Sequence, residues 1–325
     1  MSALISSRRR QILYAAIGIM VLLWVLLTGR PPRPTMLWHE IYNLGHIPLF
    51  GLFAVLALEI SRASAGRSFD WPLAHYAIAL GATAVVSVAT ELLQLDMPGR
   101  QAEVQDALHN IIGGSCFLAL RACLDTALWS PDKSRLRRWV AVAAALTLLV
   151  SFWPLANLGW HYGMRSAAFP VLVDFDSRWQ RPFLSSPRAG LDRTQAPAGW
   201  TQRKNQRIVA VKFMAAPWPG VSMHEPYPDW SGFNSLRFDV YSELPGAVDL
   251  ILRIDDIQHN NQYRDRFNRT FTVQPGLTQI SVALSDIRKA PSGRELNLEE
   301  ITQMILFSRR PEEPFTLYFS DIWLE

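Results

Sequence analysis

An α-helical transmembrane domain of five helices followed by an all-β jelly-roll sandwich is the fold class predicted for this chain, and three observations predict it. Apolar stretches of near-spanning length fill the first half of the 325 residues. Arginine and lysine gather at alternate ends of those stretches. From about residue 169 the sequence changes to alternating runs of β-branched and aromatic residues bounded by turn clusters.

The apolar stretches cover 11–28, 44–61, 74–94, 105–124 and 138–160, each near the ~20 residues that a bilayer requires. Arg8, Arg9 and Arg10 precede the first, Arg62 and Arg67 follow the second, and Lys133, Arg135, Arg137 and Arg138 lie between the fourth and fifth. The alternate loops carry only Arg30, Arg33 and Arg100. The positive-inside rule therefore predicts a cytoplasmic N-terminus, and an odd number of crossings puts everything beyond about residue 160 outside. A cleavable signal peptide is the competing reading of the first stretch, but TGRPPRP follows it rather than a small-x-small cleavage site. The predicted organisation is a transmembrane domain over 1–160, a linker over 161–168 and an extracytoplasmic sandwich over 169–325.

The formal net charge of +4 comes from basic residues clustered at membrane boundaries, where topology already accounts for them, so nucleic acid is not an expected partner. Cys116 and Cys123 are seven apart on one face of the fourth span and read as packing residues. The sandwich has no cysteine, so its stability must come from a packed core.

Four polar residues stand where the third and fourth spans meet the outer surface: Glu91 and Gln94 end one helix, and Asp106 and Asn110 begin the next. The i to i+3 and i to i+4 spacings put each pair on one helical face. Arg100 lies on the connecting turn marked by Pro98 and Gly99. His46 is placed at the outer mouth of the second span, with Pro48 in its first turn. Ionisable groups inside an apolar span are costly, so their clustering points to function. The helix dipole favours an anion at Asp106 and disfavours one at Glu91, which makes Glu91 the better proton carrier and His46 its basic counterpart. The plainer alternative is that these groups only hold three helices together through hydrogen bonds.

H-x-x-x-F at His46 and Phe50, then E-x-x-Q, R, D-x-x-x-N and x-x-G, together resemble the VanZ-like family of bacterial membrane proteins over residues 36–125. The resemblance implies a small helical domain in the bacterial cell membrane, multi-pass, from a family named for a member linked to resistance to the glycopeptide antibiotic teicoplanin. The first span, the fifth and the long appendage lie outside the matched pattern.

In the second half, FPVLVDFD, RIVAVKFM, SLRFDVYS, VDLILRID, RTFTV, LTQISVAL, QMILFS and FTLYFSDIWLE read as strands, separated by AAPWPG, SELPGA and TVQPGL. Their order resembles galactose-binding-like domains of the carbohydrate-binding-module type, which implies contact with a glycan. The glycan candidates are Arg253, Asp255, His259, Asn260, Tyr263, Asp265 and Arg266, where donors, acceptors and an aromatic face occur together. Trp218, Tyr227 and Trp230 are second candidates, and a solvated charge lattice is the plainer alternative. Asp176 and Asp321 are a weak pair for a structural calcium.

No nucleophile triad, metal-ligand spacing, phosphate-cradling loop or nucleotide fingerprint is evident, so no cofactor or metal is expected. The leading expectation is an envelope membrane protein whose outer polar site binds or modifies the head group of a lipid or lipid-linked glycan, with the sandwich capturing an envelope polysaccharide. A second is an enzyme in which Glu91 and Asp106 perform acid and base chemistry on a phosphate or glycosyl bond while Arg100 neutralises developing charge. A third is a non-catalytic assembly factor that binds protein along exposed strand edges.

Overall fold

A computed structural model of the chain describes residues 2–65, 71–95, 104–175, 177–203 and 206–325. The chain divides into two compact units, Met1–Asn157 and Leu158–Glu325.

The N-terminal region is helical: α1 Ser2–Thr28, α2 Met36–Ser64, α3 Pro72–Gln94, α4 Val104–Cys123, α5 Ser134–Ser151 and α6 Trp153–Ala168. Among the described residues, four stretches are long and apolar enough to cross a membrane, namely Ser7–Thr28, Met36–Ser64, Pro72–Gln94 and Pro131–Ala168. Among the described residues these are six helices where the sequence predicts five, because the last apolar stretch breaks at Phe152, whose backbone N–H closes the C-terminus of α5. Residues 161–168, read as a linker, belong to α6. Helix α4 is not among the four apolar stretches, since Gln105, Asp106, His109, Asn110 and Arg121 lower its hydropathy.

These helices are inside-out relative to a water-soluble bundle. On α3, Thr83, Ser87, Thr90 and Gln94 recur at helical spacing and are buried, while Val85, Val88, Leu92 and Leu93 on the opposite face are exposed. Helix α4 likewise buries Asp106 and Asn110 and exposes Val104, Leu108 and Ile111. Water would drive the reverse, whereas lipid tails solvate apolar faces and leave polar groups to pair within the bundle. Helix α2 starts at Met36, with the Thr35 hydroxyl accepting from Trp38 N, so Pro48 sits inside the helix rather than in its first turn.

Small residues set the approach of α2 and α4. A Cβ added at Gly113 would lie 2.1 Å from the Ile47 carbonyl oxygen, a backbone atom that cannot move aside alone. Gly113→Ala is therefore expected to cost at least about 1–3 kcal/mol through overpacking. Gly45→Ala, with nothing within 4 Å of the new methyl, is expected to be neutral or stabilising. Thermal unfolding of the two purified variants checks the contrast; equal melting temperatures would contradict it.

The second unit is a sandwich of two antiparallel sheets. Its strands are β1 Val171–Val173, β2 Leu184–Ser185, β3 Ala189–Gln195, β4 Arg207–Phe213, β5 Gly220–His224, β6 Ser235–Ser242, β7 Val248–Asp256, β8 Phe267–Val273, β9 Gly276–Ala283, β10 Ile301–Phe307 and β11 Phe315–Leu324, with a short helix α7 Leu284–Arg288. One sheet has the order β3-β4-β11-β6-β9 with β1 also paired to β11; the other runs β2-β5-β10-β7-β8. Strict alternation explains the layers: Leu236, Phe238 and Val240 of β6 are fully buried, as are Leu250, Leu252 and Ile254 of β7. Each such side chain contributes about 1.5–3 kcal/mol relative to exposure, which serves a domain without disulfides. The C-terminal half of α6 is tied to this unit: Arg165 Nη1 donates to Glu225 O at 2.6 Å, its guanidinium lies 4.5 Å from the centre of the Tyr162 ring, and the Tyr162 hydroxyl bonds the Glu225 carboxylate.

Candidate functional sites

In the helical unit, α2, α3 and α4 bring five of the six predicted polar residues to one place. His46 Nδ1 lies 2.9 Å from Asn110 Oδ1, and Asn110 Nδ2 donates to Ser87 Oγ at 2.9 Å. His46 Nε2 faces Asp106 Oδ2 at 3.7 Å, and a Glu91 carboxylate oxygen, His46 and Asp106 present ligand atoms all within 4.8 Å of one another. Gln94 is 1% exposed, and its Nε2 has no hydrogen-bond partner among the described residues. His46, Gln94 and Asp106 line a cavity of about 700 Å³ that also touches Arg30, His39 and Tyr42. Phe50 stacks parallel to the His46 ring at 6.3 Å. Arg100, with Pro98 and Gly99, lies outside the described residues. Sequence reading missed Ser87, which holds the Asn110 amide; the period of polar residues at 83, 87, 90 and 94 was the signal available for it.

In the sandwich, the outward face of the sheet β2-β5-β10-β7-β8 forms a groove of about 590 Å³. Register aligns two rows of side chains across it: Ser222, Ile305, Arg253 and Asn268 in one, and Gly220, Phe307, Ile251 and Thr270 in the other. Trp218, in the left-handed region at φ +57°, stands at one rim with its ring edge-on to Phe307 at 5.9 Å. Tyr263 and Arg266 stand at the other, the guanidinium carbon 5.3 Å from the tyrosine ring centre. Gly220 is required at the floor, because a Cβ there would meet Leu306 O at 2.4 Å and Phe307 Cβ at 2.6 Å. Burial and the nearby Arg253 pull the Arg266 guanidinium below its ordinary range, against Asp255 and Tyr263. Arg266 Nε and Asn268 Oδ1 are enclosed and have no hydrogen-bond partner among the described residues.

Of the seven glycan candidates, Arg253, Tyr263 and Arg266 line this groove. Asp255, His259, Asn260 and Asp265 do not; they hold the loop that carries Tyr263 and Arg266. Asp255 is 4% exposed, its carboxylate clasped by Arg253 Nε at 2.9 Å and Nη2 at 2.6 Å. His259 Nδ1 donates to Asp265 O at 2.8 Å, and its Nε2 lies 3.3 Å from Arg253 Nη2. Asp265 accepts from Asn260 N at 2.8 Å and pairs with Arg294. The hydrogen bond from Arg294, then that from Asn260 N, holds the Asp265 carboxyl below the usual carboxylate range. Arg294 was not singled out in the sequence, since it lies 29 positions from Asp265 in the loop it braces.

Among the second candidates, Trp218 is at the groove, whereas Trp230 is fully buried with its indole N–H on Tyr227 O at 2.7 Å, and Tyr227 stacks on Phe169 at 4.0 Å. Asp321 is in β11, and Asp176 lies outside the described residues.

Fold and sites together define a chain with apolar helices long enough to cross a membrane, joined to a β-sandwich of two antiparallel sheets. No family model matches the chain, and no curated protein matches it. Solved structures similar to it include the family 11 carbohydrate-binding module from Clostridium thermocellum in complex with a β-1,3-1,4-mixed-linked tetrasaccharide (15% identity, 47% of this chain and 93% of that one, TM-score 0.38). An exo-β-agarase (15% identity, 48% and 24%, TM-score 0.39) and a family 30 carbohydrate-binding module of a Clostridium thermocellum cellulosomal cellulase (19% identity, 44% and 90%, TM-score 0.33) are others. At these scores the likeness adds nothing to the fold beyond what the sheet topology shows.

Proposed function

We propose that the chain is a multi-pass envelope membrane protein whose sandwich binds a glycan in the groove of the five-stranded sheet. The observation that carries this is the pairing of exposed aromatic rims, Trp218 and Tyr263, with enclosed polar atoms awaiting partners, Arg266 Nε and Asn268 Oδ1. Planar rings cover the apolar faces of a pyranose, fixed polar groups read its hydroxyls, and the volume suits a short oligosaccharide.

The helical unit completes the reading. Helix α4 crosses as a fifth span with its polar face turned to α2 and α3, the N-terminus is cytoplasmic, and the sandwich is extracytoplasmic; the alternating arginines support this. The cluster of His46, Glu91 and Asp106, which meets the cavity through His46 and Asp106, then receives the head group of a lipid or lipid-linked glycan. The VanZ-like motif, whose described members converge there, supports the assignment to that kind of membrane domain and, with it, an influence on glycopeptide susceptibility.

The full chain in lipid nanodiscs, titrated calorimetrically with β-glucan, xylan and galactan oligosaccharides and with envelope glycan strands, is expected to give saturable binding to one of them. Absence of binding to every member at millimolar concentration would overturn the glycan reading.

A further inference from the structure

The geometry points to a divalent transition-metal site in the helical unit, with His46 Nε2 and one carboxylate oxygen each from Glu91 and Asp106 as ligands and the Gln94 amide beside them. This goes beyond the glycan reading and stands whether or not the sandwich binds sugar.

The imidazole is the starting point. Asn110 presents its carbonyl Oδ1 to His46 Nδ1 while its Nδ2 donates to Ser87 Oγ. A carbonyl oxygen only accepts, so Nδ1 carries the proton, and Nε2 is the nitrogen through which the neutral ring would ligate. Nε2 lies 3.7 Å from Asp106 Oδ2, a separation natural for two atoms that share a cation. A metal-bound histidine characteristically donates its other N–H to an oxygen that fixes its tautomer and ring plane, which is the part Asn110 plays here.

The spacing agrees. Bonds of about 2.0–2.2 Å keep two ligands of one ion within roughly 4.3 Å of each other. The three donor atoms already lie within 4.8 Å, so small rotamer adjustments close the set. Two carboxylate oxygens and an imidazole nitrogen make a donor set that suits a divalent cation. Gln94 is an independent sign of a ligand: its amide is 1% exposed, lines the same cavity, and leaves Nε2 without a partner among the described residues. Turned over, the same amide offers an oxygen to the ion, since amide orientation follows the bonding network. Mixed nitrogen and oxygen donors suit zinc or manganese rather than calcium or magnesium. The cavity side of the ion stays open, where a phosphate or carboxylate oxygen of a head group can enter. No metal-ligand spacing in the sequence announces this site, because its donors come from three helices.

Tag-free full-length protein in nanodiscs, loaded with Zn²⁺ and desalted, tests the proposal by elemental analysis. About one zinc per chain is expected. Glu91→Gln and Asp106→Asn are expected to weaken binding at least about tenfold, and Asn110→Ala by about 10–100-fold, at unchanged helicity. Glu59→Gln, at the Glu59–Arg121 pair elsewhere in the bundle, is expected to retain the metal. Zinc-edge X-ray absorption on the wild type is a reading that needs no variant: one imidazole among oxygen ligands is the expected shell. Zinc no higher than in a buffer control, full retention in the Glu91→Gln, Asp106→Asn double variant, or a shell of several imidazoles or of sulfur would each overturn the site.

Discussion

Arg294→Met is expected to destabilise the sandwich by about 3–5 kcal/mol, because it strands a buried charge. Asp256 has a fully enclosed side chain, and Arg294 grips it with Nη1 at 2.6 Å and Nη2 at 2.7 Å while Asn297 N adds a third bond at 2.8 Å. Removing the guanidinium leaves the carboxylate with one backbone donor in a low-dielectric core. The same guanidinium reaches Asp265 and so braces the loop that bears Tyr263 and Arg266. Urea unfolding of the sandwich signal in the full chain measures the loss; a change below about 1 kcal/mol would mean that the ion pair contributes no more than a surface one. The pH dependence has a definite sign. The folded Asp265 carboxyl titrates below its unfolded value of about 3.9, so its contribution is complete above that pH and is lost as pH falls through the depressed folded value. Asp265→Asn is expected to flatten this acid limb.

The two tryptophans of the Pro-rich loop region are expected to separate stability from binding. Trp230→Ala empties a fully buried site and removes an indole that bonds Tyr227 O, at a cost of about 3–5 kcal/mol. Trp218 is 55% exposed, so Trp218→Ala is expected to leave the melting temperature within about a degree or two while weakening glycan binding by about 2 kcal/mol, roughly thirtyfold. Paired melting curves and titrations check both halves. Equal loss of stability in the two variants would make Trp218 a packing residue and remove one wall of the proposed site.

Much of this was legible from residue order because both units are built on strong periodicities. The eight predicted strands all have counterparts in the sandwich, since alternation over four or more residues specifies a half-buried strand. Strands β2, β3 and β5 were not visible: β2 has two residues, β3 is a polar edge strand reading AGLDRTQ, and β5 is a short segment beside a Pro-rich turn. Helix α6 was hidden because a continuous apolar text does not disclose a break at Phe152. In the helical cluster the i to i+3 and i to i+4 pairs announced themselves, while Ser87 and Thr90 looked like ordinary small residues of a span. The groove was half legible for a related reason. Composition marks where charge and aromatics gather, but only register across β5, β10, β7 and β8 decides that Arg253 faces outward and that Asp256 beside the clasped Asp255 points into the core.

The most direct test of glycan capture by the five-stranded sheet is hydrogen–deuterium exchange of the full chain with and without a saturating oligosaccharide that it binds. Protection over residues 218–224, 248–273 and 301–309, with β3, β4 and β6 unchanged, is the expected result. Protection confined to the opposite sheet, or none at saturation, would contradict it.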